Sequence, residues 1–192
     1  MSALASDYSE WLTPERLAEE ERLWAEVAIY KLYAAETFKL VRSLNLKALI
    51  EVGCGTGWLP TALPPTLEYT GVDANAECLR LAQQKTTQLF VQADVRNFYW
   101  PERPLVVSFA MLKHFALFEW AEILGKVLAL GRNALFTMNV GASDEDDFQH
   151  GFPHTWVSDA TLREAIRAAG HELVWATLLH TGETMVHTRR VA

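Results

Sequence analysis

The sequence predicts a doubly wound α/β domain with a mostly parallel sheet, and three observations support it. From Ala48 onward, short apolar runs alternate with amphipathic stretches of helical length. The first of these runs ends in a glycine-rich turn, Gly53-Cys54-Gly55-Thr56-Gly57. The last two, 173–179 and 184–191, are separated by only four residues, which predicts an antiparallel hairpin. The connections between the earlier runs are longer and mostly helical, so those strands should lie parallel.

Each element has a local reason. Thr13 can cap a first helix with Pro14 at its opening position, where a missing N–H costs nothing. Trp24, Val27, Tyr30, Ala34, Phe38, Val41 and Leu44 then recur at spacings of three and four, the stripe of one helix or of two in succession. Residues 48–52 read as a buried strand. A second strand is expected over 67–72, then a helix over 75–85 with Cys78, Leu81 and Ala82 inward. A third follows over 89–91, and a fourth over 105–109 entered through Pro104. Trp120, Leu124, Val127 and Leu128 mark a helix that Gly131 would stop, and 134–137 a fifth strand. Ser158 or Asp159 caps a helix closed by Gly170, and the acidic run 144–147 reads as a loop. With the hairpin this gives seven strands. Residues 1–46 are a helical cap and 47–192 the core of the same domain.

Composition narrows the function. The chain has 192 residues, 50% hydrophobic and 21% charged, with 17 basic against 24 acidic side chains and a net charge of −7. Such an acidic chain lacks the footprint of general phosphate binding, so no general nucleic-acid partner is expected. No apolar run reaches the length of a membrane helix, and the N-terminus carries no basic region before an apolar core. Two cysteines, Cys54 and Cys78, set no disulfide framework or zinc spacing, which suits a reducing cytoplasm.

The chemistry concentrates in Glu51-Val52-Gly53-Cys54-Gly55-Thr56-Gly57. In a doubly wound sheet, ligands bind beyond the carboxyl ends of the strands where strand order reverses. Glycines there let backbone approach a nucleotide, although a tight turn without a ligand is the plain alternative. A dinucleotide fingerprint would need glycine at position 58; Trp58 is far too large, which argues against a nicotinamide oxidoreductase. Asp73 lies twenty residues beyond the first glycine, at the end of the second strand. Its two acceptor oxygens suit the adjacent hydroxyls of a ribose. A second acid, Asp94, followed by Val95, ends the third strand.

These residues resemble the class I S-adenosylmethionine-dependent methyltransferases over roughly residues 47–191. Leu49 to Gly57 is similar to the family's first motif, Gly71-Val72-Asp73-Ala74 to the second, Gln92-Ala93-Asp94-Val95 to the third, and Val106 to Phe115 to the fourth strand and its sequel. The resemblance implies the family's sheet, with the last strand antiparallel beside the fifth, and S-adenosylmethionine as cofactor with S-adenosylhomocysteine as product. It also implies roles. Glu51 and the backbone of Gly53, Cys54, Gly55, Gly57 and Ser108 would hold the methionine end and the loop around it. Asp73 would take the ribose hydroxyls, Ala74 the adenine face, Asp94 the adenine amino group and Val95 the ring, while Phe109 to Met111 would lie near the reactive methyl. Plain alternatives stand beside two of these: Glu51 as a turn acid and Asp94 as a loop cap.

The segment after Gly57 meets Pro60 and then Pro64-Pro65, so the first crossover helix should be a turn or two. His114 is the candidate general base, needed only if the acceptor carries a proton; the alternative is a histidine packed at a helix start. His150 and His154 flank Gly151 and Pro153, which does not suit a helical ligand pair, so no metal is expected. Tyr8 and Trp11 are candidates for a mobile cover. The acceptor is expected to be a small molecule. Methylation of protein or tRNA, or a non-catalytic cofactor-binding subunit, are the alternatives, and the oligomeric state is not legible.

Overall fold

In the computed structural model, described for residues 13–26, 28–149 and 152–191, a nine-stranded sheet is flanked by helices on both faces. Tyr8, Trp11, Val27, His150 and Gly151, and the side chain of Trp24, lie outside the described residues. Helices α1 (Pro14–Glu26) and α2 (Ala28–Ser43) divide the N-terminal stripe between them. The Arg16 and Leu17 N–H groups donate to Thr13, which starts α1 as its sequence suggests. Asn45 ends α2 in the left-handed region (φ 50°), with Leu46 N–H bonded to Val41 and Asn45 N–H to Arg42. The inward face of α2 is Ile29, Tyr33, Ala34, Thr37 and Val41. Phe38 and Leu44, expected on that stripe, are 37% and 44% exposed; the α2 stripe drifts off them toward Tyr33 and Thr37.

Strand β1 (Ala48–Val52) is buried at every position because it is central and covered on both faces. Leu49 and Glu51 point toward α2; Ile50 and Val52 point to the opposite core. A four-residue helix α3 (Leu59–Ala62), kept short by its prolines, leads to β2 (Glu68–Asp73). Helix α4 (Ala76–Lys85) is capped by Asn75 and buries Cys78, Leu79 and Ala82, with Leu79 rather than Leu81 at the inward position. Strands β3 (Leu89–Gln92) and β4 (Arg103–Ser108) follow. Helix α5 (Leu117–Ala129) buries Trp120, whose indole N–H donates to Met138 Sδ at 3.1 Å. Gly131 does not cap α5. It opens β5 (Gly131–Gly141), where a Cβ would stand 2.7 Å from the Val106 backbone nitrogen on the neighbouring strand. Ser158 caps α6 (Asp159–Ala168), and Gly170 (φ 75°) lets the chain turn into β8 (His171–Leu178) and β9 (Glu183–Arg190).

Seven of the strands run β3-β2-β1-β4-β5-β9-β8. The first five are mutually parallel, and β9 is antiparallel to both β5 and β8. The acidic run is not a loop. Residues 145–149 form β6 (Glu145–Gln149), antiparallel to β7 (Phe152–Ser158), and β7 pairs with the last three residues of β5. The carboxylates are structural: Asp144 accepts from Ser158 N–H, and Asp146 accepts from Leu117 N–H at 2.9 Å and caps α5.

Two histidines on the C-terminal hairpin make stability depend on pH. His187 is buried near Trp175, and neither of its ring nitrogens has a hydrogen-bond partner among the described residues; His171 is buried against Thr188. Burial, and then a neighbouring arginine, holds both below the usual histidine range. The unfolded chain therefore takes up these protons first. The contribution of these two histidines to stability should be full above about pH 6.5 and be lost as pH drops below it. The acid-side drop in melting temperature should shrink in His187→Phe; an identical pH profile in wild type and variant would refute the assignment.

Candidate functional site

The strand order reverses between β1 and β4, which places a crevice beyond the carboxyl end of β1. The loop leaving β1 lines it. Gly53, Gly55 and Gly57 all have positive φ (75°, 50° and 71°), a conformation that side chains disfavour. A Cβ on Gly53 would meet Met111 at 2.8 Å and one on Gly57 would meet Ala82 at 2.6 Å, whereas one on Gly55 would enter open space. The loop is thus pressed against the protein at its two ends and bare in the middle. Cys54 is buried with its sulfur turned inward toward Gly71, so it offers the crevice only backbone, and burial pushes its thiol up.

Asp73, at the end of β2, ties this loop in place. Its Oδ2 accepts from Gly55 N–H at 2.8 Å and its Oδ1 from Asn75 N–H at 2.9 Å. Each oxygen keeps a further lone pair. Burial raises its pKa despite those bonds. Glu51, 2% exposed, accepts from the Tyr69 hydroxyl. Burial pushes its carboxyl up to about 8, against the Tyr69 bond that lowers it and with help from Asp73.

A cleft of about 650 Å³ opens beside the carboxyl ends of β2 and β3, lined by Ala74, Asn75, Gln92, Ala93 and Asp94. It brings Asp73's neighbour Ala74 and the third-strand acid to one place. Asp94 itself accepts from Arg96 N–H at 2.8 Å and pairs with the Arg96 guanidinium at 3.2 Å, so it caps its own turn while its side chain stays 43% exposed. Val95 is buried in the core behind it. A second cleft, of about 250 Å³ near Arg42, Lys47 and Thr66, lies at the amino ends of β1 and β2, the wrong end for this fold's ligands.

On the β4 side, Ser108 Oγ is buried without a hydrogen-bond partner among the described residues. Phe109 is buried and stacks on Tyr33 (4.5 Å, 6°), so Met111 rather than Phe109 abuts the glycine loop. Between them Ala110 adopts φ 55°, unusual for a residue with a Cβ, and its N–H donates to Thr137 Oγ1 at 2.8 Å. His114 ends a short 3-10 turn (Leu112–His114) and meets His154 of β7 edge-on at 5.0 Å. Among the described residues no three His, Cys, Asp or Glu side chains gather in metal-binding geometry. Sequence reasoning missed Glu183, a buried carboxylate that joins Lys113 and Tyr33. Its partners come from helices and turns far away in the chain, so no local pattern marks it.

The fold and loop define a doubly wound α/β domain with a glycine-lined crevice at its switch point. Residues 49–133 match the family described as a methyltransferase domain. The whole chain superposes on magnesium protoporphyrin IX methyltransferase from Synechocystis PCC 6803 with TM-score 0.80 and 11% identity, covering 100% of this chain and 99% of that one. It is similar to 1,6-didemethyltoxoflavin-N1-methyltransferase from Burkholderia thailandensis (TM-score 0.78, 16% identity, 100% and 92% covered). It is also similar to an S-adenosylmethionine-dependent methyltransferase from Clostridium acetobutylicum (0.73, 11%, 91% and 99%). No curated protein sequence matches the chain. Residues 49–133 thus carry the match to a methyltransferase domain, and the chain as a whole shares the fold of these S-adenosylmethionine-dependent enzymes. Among the described residues no helix is long and apolar enough to cross a membrane.

Proposed function

We propose that this chain transfers the methyl group of S-adenosylmethionine to a nucleophilic atom of a small molecule, in the cytoplasm. The observation that carries it is the clasp between Asp73 and Gly55: the carboxylate fixes a loop whose middle glycine, bare of side chain, faces open space. That surface suits an adenosyl ligand. Asp73 would take both ribose hydroxyls on its remaining lone pairs, and Ala74, Asp94 and the Val95 backbone would hold the adenine in the adjoining cleft. Glu51, Ser108 and the amides of the loop would hold the methionine end. Two of the similar proteins are named for small-molecule substrates, magnesium protoporphyrin IX and 1,6-didemethyltoxoflavin, which supports the acceptor class. The net charge of −7 gives no general attraction to polyanions.

The bound sulfonium supplies an already activated methyl, so the protein's work is alignment and exclusion of water. Met111, packed against the glycine loop at Gly53, and the strained Ala110 turn would form the β4 side of the crevice, where the acceptor must approach. His114 stands beyond them as the group that would accept a proton from an N–H or O–H acceptor. Calorimetry with S-adenosylhomocysteine tests the reading. Wild type should bind, and Asp73→Ala should weaken binding by about 2–3 kcal/mol, roughly 30- to 150-fold in Kd. Equal affinity in the two proteins, or binding of NAD instead, would reject it. Formation of S-adenosylhomocysteine from S-adenosylmethionine with a pooled small-molecule extract separates a working enzyme from a binding subunit.

A further inference from the structure

The first residue of β9, Glu183, is 7% exposed and stands in register with Asn139 near the carboxyl end of β5. Its Oε1 meets Lys113 Nζ at 2.9 Å and its Oε2 accepts from the Tyr33 hydroxyl at 2.6 Å. Tyr33, 1% exposed on α2, lies flat on Phe109; Lys113 sits on the turn that follows Met111. Thr137, one strand over, holds Ala110 N–H. Residues 109–114 are therefore gripped at three points, and one carboxylate serves two of them. A buried ion pair is a weak stabiliser, because desolvation offsets most of the attraction. Here it joins three elements that are remote in sequence, at the edge where methyl acceptor and glycine loop must meet.

Building on the methyl-transfer reading above, we infer that Glu183 is a positioning residue: by holding Lys113 and Tyr33 it fixes the 109–114 segment against which the acceptor is aligned. It acts through those two side chains and touches neither the adenosyl cleft nor the glycine loop. Ligand affinity and methyl transfer should therefore respond differently to its loss.

Glu183→Gln keeps the size and can still accept from Tyr33, but it loses the charge that holds Lys113. In the complex with S-adenosylhomocysteine, amide exchange over 109–114 should accelerate about tenfold or more, with exchange over 48–57 unchanged and the Kd within about twofold. The initial rate of S-adenosylhomocysteine formation with the pooled extract should fall about tenfold or more. Lys113→Met should reproduce both effects, and the double variant should be no worse than either single one, since the residues act as a unit. Unchanged exchange over 109–114 in both single variants would overturn the inference, as would acceleration spread evenly over the chain in both. Where Glu183→Gln does not fold, Lys113→Met decides alone. Failure of the wild type to bind S-adenosylhomocysteine would sink the methyl-transfer reading instead, and exchange measured on the free protein would still judge the role of Glu183.

Discussion

Glu51→Gln should make the free protein more stable at pH 8. The wild-type carboxyl is fully buried, its one hydrogen bond comes from Tyr69, and no cation pairs with it among the described residues. Burial raises its pKa from 4.5 to about 8. The unfolded chain ionises this group near its ordinary value, while the folded chain keeps the proton to about pH 8. Between those limits the unfolded state binds fewer protons, so stability is lost as pH rises from about 4.5 to 8. At roughly 1.4 kcal/mol per unit, the loss is on the order of 4 kcal/mol, which is about 10 °C in melting temperature for a chain of this size. The amide that replaces the carboxyl in the variant has no ionisation to suppress and can still accept from Tyr69. The two melting curves should converge near pH 5 and separate steadily above it. Coincident curves at pH 8 would show that Glu51 is solvated in ways its burial does not suggest.

A destabilising carboxyl at this position makes sense if a ligand uses it. Glu51 sits two residues before the glycine turn, and an ammonium brought to it would pair a carboxylate that otherwise holds a proton. The methionine end of the adenosyl ligand proposed above would carry such a charge. The same substitution should therefore stabilise the free protein and weaken S-adenosylhomocysteine binding, the usual opposition between a rigid fold and a poised site.

The central strands and the glycine turn are legible in the sequence because their signals are local. β1 reads as a continuous apolar run since both its faces are covered, and the Gly53-x-Gly55-x-Gly57 spacing followed by Trp58 departs visibly from the dinucleotide fingerprint. Asp73 is legible for the same reason: it terminates a recognisable strand. What escapes is tertiary. The run 144–147 looks like a solvated loop because four acids in sequence carry no apolar alternation. In the fold Asp144 and Asp146 direct their charge at the backbone N–H groups of Ser158 and Leu117, so the segment can pair as a strand. Gly131 looks like a helix stop, yet its constraint comes from Val106 across the sheet. Glu183 and Tyr33 are 150 residues apart, and nothing in either neighbourhood announces the other.

Gly57→Val and Gly55→Val should fail in opposite ways, although the two glycines share one loop and both have positive φ. At Gly57 a new Cβ would lie 2.6 Å from Ala82 Cβ and 3.1 Å from Ala82 Cα, on a helix whose backbone is packed against β3 and cannot retreat. Left-handed strain in a β-branched residue and overpacking each cost about 1–3 kcal/mol. Together they should remove roughly 3–5 kcal/mol of stability, a large share of what a domain of this size possesses. At Gly55 nothing lies within 4 Å, so only the strain term applies and the protein should stay folded. Its branched side chain would instead fill the space that the clasp to Asp73 leaves open, and S-adenosylhomocysteine binding should disappear from calorimetry. Melting temperature and affinity measured on both variants give four readings. A Gly55→Val protein that binds normally would move the ligand off this loop, and a Gly57→Val protein as stable as wild type would show that α4 yields where its packing says it is fixed.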